Sequence, residues 1–115
     1  MSEAAKVFVY GTLKQGHGNH RLLAESKCLG TTHTKPAFTM LHLGGFPGVL
    51  LQGDTSIIGE VYEVDEITMK RIDRLEGYPS FYDRTKLHTE YGQAWIYFLD
   101  PHYKDRCEVI EEGVW

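Results

Sequence analysis

The sequence has little of several features that mark specialised classes of protein. Its 115 residues include only two cysteines, Cys28 and Cys107, which lie far apart in sequence and lack the paired spacing of a metal site. They could form a disulfide only in an oxidising compartment, to which nothing in the sequence points. Acidic residues outnumber basic ones, 16 against 12, and no basic stripe is interleaved with aromatics. No apolar run has the length of a membrane span, and residues 1–6 lack the apolar segment of a secretion signal. We therefore expect a cytoplasmic monomer with reduced thiols and neither a nucleic-acid nor a membrane partner.

Motifs for common cofactors and nucleophiles are also missing. Gly11 and Gly16 have the spacing of a phosphate loop, but no Lys-Ser/Thr pair follows, which excludes nucleoside triphosphate binding. His17 and His20 could face each other across a turn, but no acidic or cysteine residue stands near them to complete a metal site. No Gly-x-Ser-x-Gly elbow occurs. We expect neither a metal nor another cofactor.

What is present is an ordinary globular composition with a strand-rich pattern, of a length that suits one domain over residues 1–115. A helix is predicted to begin after Asn19 and run to residue 25, and a second helix spans 66–76. Strands are predicted at 7–10, 27–34, 37–43, within 46–51, and at 57–64, 81–89 and 93–99, with a short final strand in the tail. This order predicts an α+β fold, either a small curled sheet or a β-barrel with flanking helices.

Residues 7–10 read as a buried strand that stops at Gly11. A strand that runs into a glycine-containing loop brings backbone N–H groups to the end of a sheet, where they can bind an anionic group. The alternative is that these glycines are plain turn residues, which is the commoner case. The residues alone leave both interpretations open.

The helix at 66–76 carries one residue that does not match its face. Asp65 is a good N-cap and Gly77 a good C-terminal stop. Met69, Ile72 and Glu76 follow the i, i+3, i+7 spacing of a core-facing ridge. Ile67 and Leu75 are predicted to broaden this apolar ridge, whereas Glu66, Lys70, Asp73 and Arg74 lie mostly off it.

A carboxyl in line with core positions at a helix C-terminus should have a raised pKa, because burial and the negative helix end both disfavour its charge. Such a group suits general acid/base chemistry near neutral pH, and Glu76 is the candidate. Two plainer interpretations remain: Glu76 frays into solvent in the last turn, or it pairs with Arg84 or another cation.

Four blocks of sequence, taken together, resemble one family. Residues 7–14 followed by Asn19-His20 are similar to the opening signature of the gamma-glutamylcyclotransferase-like family, in particular its small gamma-glutamylamine cyclotransferase branch. Residues 59–65, 75–79 and 82–84 resemble its later blocks, in the same order. The resemblance extends over roughly residues 6–99.

The resemblance implies a small mixed α+β barrel with a cavity at one end and a small-molecule gamma-glutamyl substrate. It assigns the glutamyl-binding loop to Tyr10, Gly11, Thr12 and Leu13, the acid/base to Glu76, and a further lining residue to Tyr97. Tyr82 is a further candidate for the lining on its position alone. The implied reaction is intramolecular attack of the substrate's α-amino group on its side-chain amide, which releases 5-oxoproline and an amine without metal or cofactor. The alternative is a barrel of the same fold that binds a small molecule without turning it over.

Overall fold

The computed structural model describes residues 5–115. Within them lie eight β-strands, one α-helix and two short 3-10 helices. In chain order the elements are β1 Ala5–Val9, a 3-10 helix His20–Leu23, β2 Lys27–His33, β3 Phe38–His42, β4 Pro47–Thr55, β5 Ile58–Val64, α1 Glu66–Glu76, β6 Asp83–Thr89, β7 Gly92–Phe98, a 3-10 helix Pro101–Asp105 and β8 Glu108–Val109.

The strands form two separate sheets. The larger sheet has the order β2-β5-β1-β7-β6, and the smaller one has the order β4-β3-β8. The α+β class is therefore confirmed, but the predicted barrel is wrong because the described strands do not close on themselves. The hydrophobic pattern identifies each strand, whereas closure depends on which edges pair, and β3 pairs with β4 and β8 instead of extending the larger sheet.

β1 lies at the centre of the larger sheet, antiparallel to β5 and parallel to β7. Both of its faces are buried. Val7 and Val9 pack in a cluster that includes Met69 and Ile72 of α1. Phe8, on the opposite face, packs in a second cluster that includes residues of both sheets. This burial on both faces explains why residues 7–10 are continuously apolar instead of alternating.

The helix α1 has the predicted ends. The Asp65 side chain accepts a 2.7 Å hydrogen bond from the Thr68 backbone N–H, and Gly77 closes the helix in the left-handed conformation at φ 67°. The width of its apolar face was predicted wrongly, because Ile67 is 64% exposed and Leu75 is 41% exposed. The buried ridge is narrower and consists of Met69 and Ile72.

The helix predicted at 20–25 is only a four-residue 3-10 helix, His20–Leu23, without a side-chain cap. Asn19 makes no side-chain cap bond. Its side-chain amide donates to Thr12 Oγ1 at 2.9 Å, and its Oδ1 accepts from Arg21 Nη1 at 3.5 Å. The His20 ring packs against Tyr62, with centroids 5.8 Å apart. Contacts with the preceding loop and with β5 thus replace the helix that propensity alone predicted.

The last third of the chain follows the prediction. β6 and β7 form the expected antiparallel hairpin. The short final strand is β8, which pairs with β3. Over residues 5–115, no helix has the length and apolarity needed to cross a membrane.

Candidate active site

A cavity of about 340 Å³ lies where β1 leaves the larger sheet and α1 ends. Its walls come from the β1 end, the following loop, the turn before β4 and the first residue of β4, the α1 end, the segment before β6, and β7. The lining residues are Phe8, Val9, Tyr10, Gly11, Thr12, Leu13, Asn19, Gly45, Phe46, Pro47, Leu75, Glu76, Phe81, Tyr82 and Tyr97. All seven residues that the sequence nominated for the site lie around this one cavity, while their roles stay predictions.

The loop after β1 presents backbone to the cavity. A Cβ at Gly11 would lie 2.8 Å from the Pro47 ring, so only glycine allows this close approach. The loop is held by two backbone bonds, from Lys14 N–H to Gly11 O at 3.0 Å and from Asn19 N–H to Thr12 O at 2.9 Å. Within residues 5–115, the N–H groups of Gly11, Thr12 and Leu13 donate no hydrogen bond, which leaves them available to a ligand.

The loop is also tied to the end of the described chain. The Lys14 side chain is buried, and its Nζ donates to the Trp115 backbone oxygen at 3.1 Å. Burial lowers the pKa of this ammonium, and the nearby Glu60 carboxylate opposes that shift. The tail therefore fixes one side of the loop without entering the cavity.

Glu76 is half-buried in the cavity wall, at the last residue of α1. Among the described residues it makes no ion pair and accepts no side-chain hydrogen bond. Burial raises its pKa from 4.5 to about 7. Both plainer interpretations of this residue are thus at odds with the geometry, because Glu76 is neither frayed into solvent nor paired with Arg84.

Three buried tyrosines surround Glu76 without bonding to it. The Tyr10 hydroxyl donates to Tyr97 O at 2.8 Å, that of Tyr82 to Pro47 O at 2.6 Å, and that of Tyr97 to Asp73 Oδ1 at 2.6 Å. Burial raises the pKa of all three, and the nearby Glu76 charge raises each further. The three tyrosines are therefore neutral, and each hydroxyl already donates its hydrogen bond to another protein group.

An ion pair lies behind the cavity and was not predicted from the sequence. Arg84 and Asp73 form this ion pair, with Arg84 Nε 3.0 Å from Asp73 Oδ1. The geometry at Nε does not make a hydrogen bond, but Arg84 Nη2 donates one to Asp73 Oδ2 at 3.2 Å. The guanidinium also stacks on the rings of Tyr78, at 4.5 Å, and Trp95, at 4.2 Å. Asp73 was predicted to lie off the buried face, but its side chain is only 19% exposed.

Comparison with known proteins shows the family of this chain. The family model of gamma-glutamyl cyclotransferase, AIG2-like proteins matches residues 7–115. The chain belongs to this family. A Vibrio cholerae protein that carries a provisional gamma-glutamylcyclotransferase name is 43% identical over 109 residues, which cover 95% of this chain and 93% of that protein. The gamma-glutamylcyclotransferase family protein YtfP of Escherichia coli K12 is 32% identical, with 96% and 95% covered.

Solved structures of similar proteins agree with the fold. The crystal structure of a mouse AIG2-like protein has a TM-score of 0.83 at 28% identity and covers 99% of this chain and 89% of its own. The solution structure of ytfP from Escherichia coli has a TM-score of 0.77 at 33% identity and covers 96% and 95%. The two-sheet α+β architecture is therefore shared with structures in this family.

Several residues that line the cavity were not predicted from the sequence, because they lie outside the sequence blocks that resemble the family or show no spacing typical of a motif. Phe46 and Pro47 follow a pair of turn glycines, and Phe81 stands between α1 and β6. Tertiary packing brings these residues to the cavity, and no local sequence pattern predicts it. Among residues 5–115, no group of three or more His, Cys, Asp or Glu side chains could hold a metal ion.

The raised pKa of Glu76 predicts how stability depends on pH. Between pH 4.5 and 7 the folded carboxyl keeps a proton that the unfolded chain has released, so the folded state loses stability as pH rises through this window. We expect the free energy of unfolding to fall by about 2 kcal/mol. This is less than the whole pKa shift would give when converted into free energy, because the Glu76 side chain is only half-buried. Urea denaturation at pH 5 and pH 8 measures it.

Glu76→Gln should abolish this fall, because glutamine does not titrate. The exposed Glu66→Gln, on the same helix, is the matched control and should retain the fall. Equal pH dependence in the wild type and Glu76→Gln would show that the Glu76 carboxyl titrates normally.

Proposed function

We propose that this protein is a cyclotransferase that acts on gamma-glutamyl amides and releases 5-oxoproline and a free amine. The observation that carries the proposal is the half-buried Glu76 carboxyl, which pairs with no other residue within 5–115, beside a loop whose N–H groups have no partner in the same range. Membership of the gamma-glutamyl cyclotransferase, AIG2-like family supports the general reaction. The identity of the amine and the gamma-glutamylamine branch are part of the proposal.

The first step is binding of the glutamyl group. The backbone N–H groups of Gly11, Thr12 and Leu13 receive the substrate's α-carboxylate, since the lining residues that the structure describes include no cationic side chain. One of these groups can also donate to the oxygen that becomes negative during attack. The α-ammonium then lies toward Glu76, the anionic side chain in the wall.

The second step is ring closure. The Glu76 carboxylate accepts a proton from the α-ammonium, and the freed amine attacks the side-chain amide carbon to close a five-membered ring. The protonated Glu76 then gives its proton to the leaving nitrogen as the C–N bond breaks. The extra proton of the ring nitrogen follows through the same carboxylate, so that the amine is released in its protonated form. Because nucleophile and electrophile belong to one molecule, holding the bent conformer supplies much of the acceleration. A pKa near 7 suits both roles of Glu76.

The pH dependence of 5-oxoproline release tests this mechanism. Because the free enzyme must hold Glu76 ionised, kcat/KM should rise about tenfold per pH unit below pH 7 and level off above it. The assay measures 5-oxoproline from a gamma-glutamyl amide by liquid chromatography between pH 5 and 8.5. A flat profile over this range would exclude Glu76 as the general base.

Absence of 5-oxoproline from every gamma-glutamyl amide tried, together with calorimetric binding of the same compounds, would instead indicate a binding protein. That result would overturn the proposed reaction while leaving the fold and the family unchanged.

A further inference from the structure

The direction of the N–H groups in the loop after β1 depends on the carbonyl oxygens of the same loop. The carbonyl oxygens of Gly11, Thr12 and Leu13 all accept hydrogen bonds from later residues. Because a peptide group is planar, a bonded carbonyl oxygen also fixes the direction of the N–H of the next residue. The N–H groups of Thr12 and Leu13 therefore keep their direction only while the segment that follows the loop stays in place.

Glu60 of β5 holds that following segment from the neighbouring strand. Its Oε1 accepts from the Gln15 N–H at 2.9 Å and from the Tyr62 hydroxyl at 2.8 Å. Val9 and Glu60 form the last residue pair between β1 and β5, so the carboxylate lies where β1 gives way to the loop. Its charge also favours the ammonium form of Lys14, because it opposes the lowering of the Lys14 pKa by burial.

Tyr62 orients Glu60 from the buried side. Its side chain is only 2% exposed, and burial raises the pKa of its hydroxyl, which the hydrogen bond to Glu60 raises further. The hydroxyl therefore stays protonated and donates to Glu60. The Tyr62 ring also packs on the His20 ring, whose Nδ1 donates to Leu13 O at 3.0 Å. One buried residue thus contacts both side chains that bind the backbone of residues 13–15.

We propose that Glu60 is a positioning residue, which holds the loop so that the N–H groups of Gly11, Thr12 and Leu13 converge on the substrate's α-carboxylate. Glu60 lies outside the cavity lining and acts only through the loop. The inference rests on the proposed function, in which this loop binds the glutamyl group. Donors that are fixed before the substrate arrives lose less conformational freedom on binding, which strengthens binding.

Glu60→Ala tests the inference, because it removes the acceptor of both hydrogen bonds. It should raise KM for gamma-glutamyl-isoamylamide by about tenfold and leave kcat within about threefold of the wild type. The loop holds the α-carboxylate in the ground state and in the transition state alike, so a loosened loop acts on KM. This substrate suits the test because its α-carboxylate is its only anionic group. The measurement is steady-state release of 5-oxoproline at pH 8.

Two further variants separate the hydrogen bonds from a general loss of structure. Glu60→Gln retains an oxygen that can accept from both donors, so its KM should lie within about threefold of the wild type. Tyr62→Phe keeps the buried ring but removes the donor that orients Glu60, and it should raise KM by about threefold. It also decides the inference if Glu60→Ala fails to fold.

The matched control is Glu63→Ala, which makes the same change on the same strand. Glu63 is half-buried like Glu60, but the alternation of β5 places it on the opposite face of the sheet. Its KM and kcat should equal those of the wild type.

The outcomes separate this inference from the proposed function. A KM within threefold of the wild type in Glu60→Ala, or an equal rise in Glu60→Gln, would overturn the positioning role and leave the cyclotransferase standing. If no variant and no wild type yields product, the proposed function fails, and calorimetric titration with the same amide decides. Binding weakened about tenfold in Glu60→Ala and retained in Glu60→Gln would support the positioning role. Equal binding by all variants, or no binding by the wild type, would overturn it.

Discussion

Glu76→Gln should lower kcat for 5-oxoproline release by about 1,000-fold, which corresponds to about 4 kcal/mol of transition-state stabilisation. Glutamine matches the shape of the side chain but can neither accept the α-ammonium proton nor return it to the leaving amine. The fold should be retained, because the Glu76 side chain makes no ion pair or side-chain hydrogen bond with another described residue. The assay is steady-state turnover of a gamma-glutamyl amide at pH 8.

Glu66→Gln is the matched control for this experiment. It makes the same change on the same helix, where Glu66 is exposed and forms only a surface pair with Lys70 at 3.5 Å. Its turnover should match the wild type. Turnover of Glu76→Gln within tenfold of the wild type would mean that another group transfers the protons.

Asp73→Asn should lower the free energy of unfolding by about 3 kcal/mol, the largest stability effect that we expect from a single site. The substitution leaves the Arg84 guanidinium, whose side chain is 16% exposed, between Tyr78 and Trp95 without a countercharge. It also weakens the 2.6 Å bond that Tyr97 donates to Asp73. Urea denaturation at pH 7 measures the loss.

The double variant Asp73→Asn with Arg84→Met isolates the pair. It should recover part of the stability lost in Asp73→Asn, because the uncompensated charge is removed with its partner. Asp105→Asn, at an exposed position, is the matched control and should change stability by less than about 0.5 kcal/mol. A loss in Asp73→Asn no larger than this would show that the ion pair does not hold α1 against β6 and β7.

Local chemistry explains what the sequence predicted well. The ends of α1 depend on Asp65 and Gly77, which act on backbone groups a few residues away. The hairpin of β6 and β7 likewise depends on two neighbouring strands and the short turn between them. Glu76 was nominated from its position on the helix ridge because burial of a helix face is periodic in sequence.

Long-range packing explains what the sequence could not predict. Whether eight strands close into a barrel or split into two sheets depends on edge pairing between distant segments, such as β3 with β8. Asp73 is separated from Arg84 by 11 residues and from Tyr97 by 24, and helical spacing alone assigned it to the solvent side. The Phe46–Phe81 contact has the same origin.

The most direct test of the central claim is the product formed from gamma-glutamyl-isoamylamide in water enriched with oxygen-18, analysed by mass spectrometry. Intramolecular attack by the α-amino group predicts unlabelled 5-oxoproline and isoamylamine in equal amounts, because no water enters the product. Glutamate that carries one oxygen-18 atom would show that water is the nucleophile, and it would contradict the cyclotransferase mechanism.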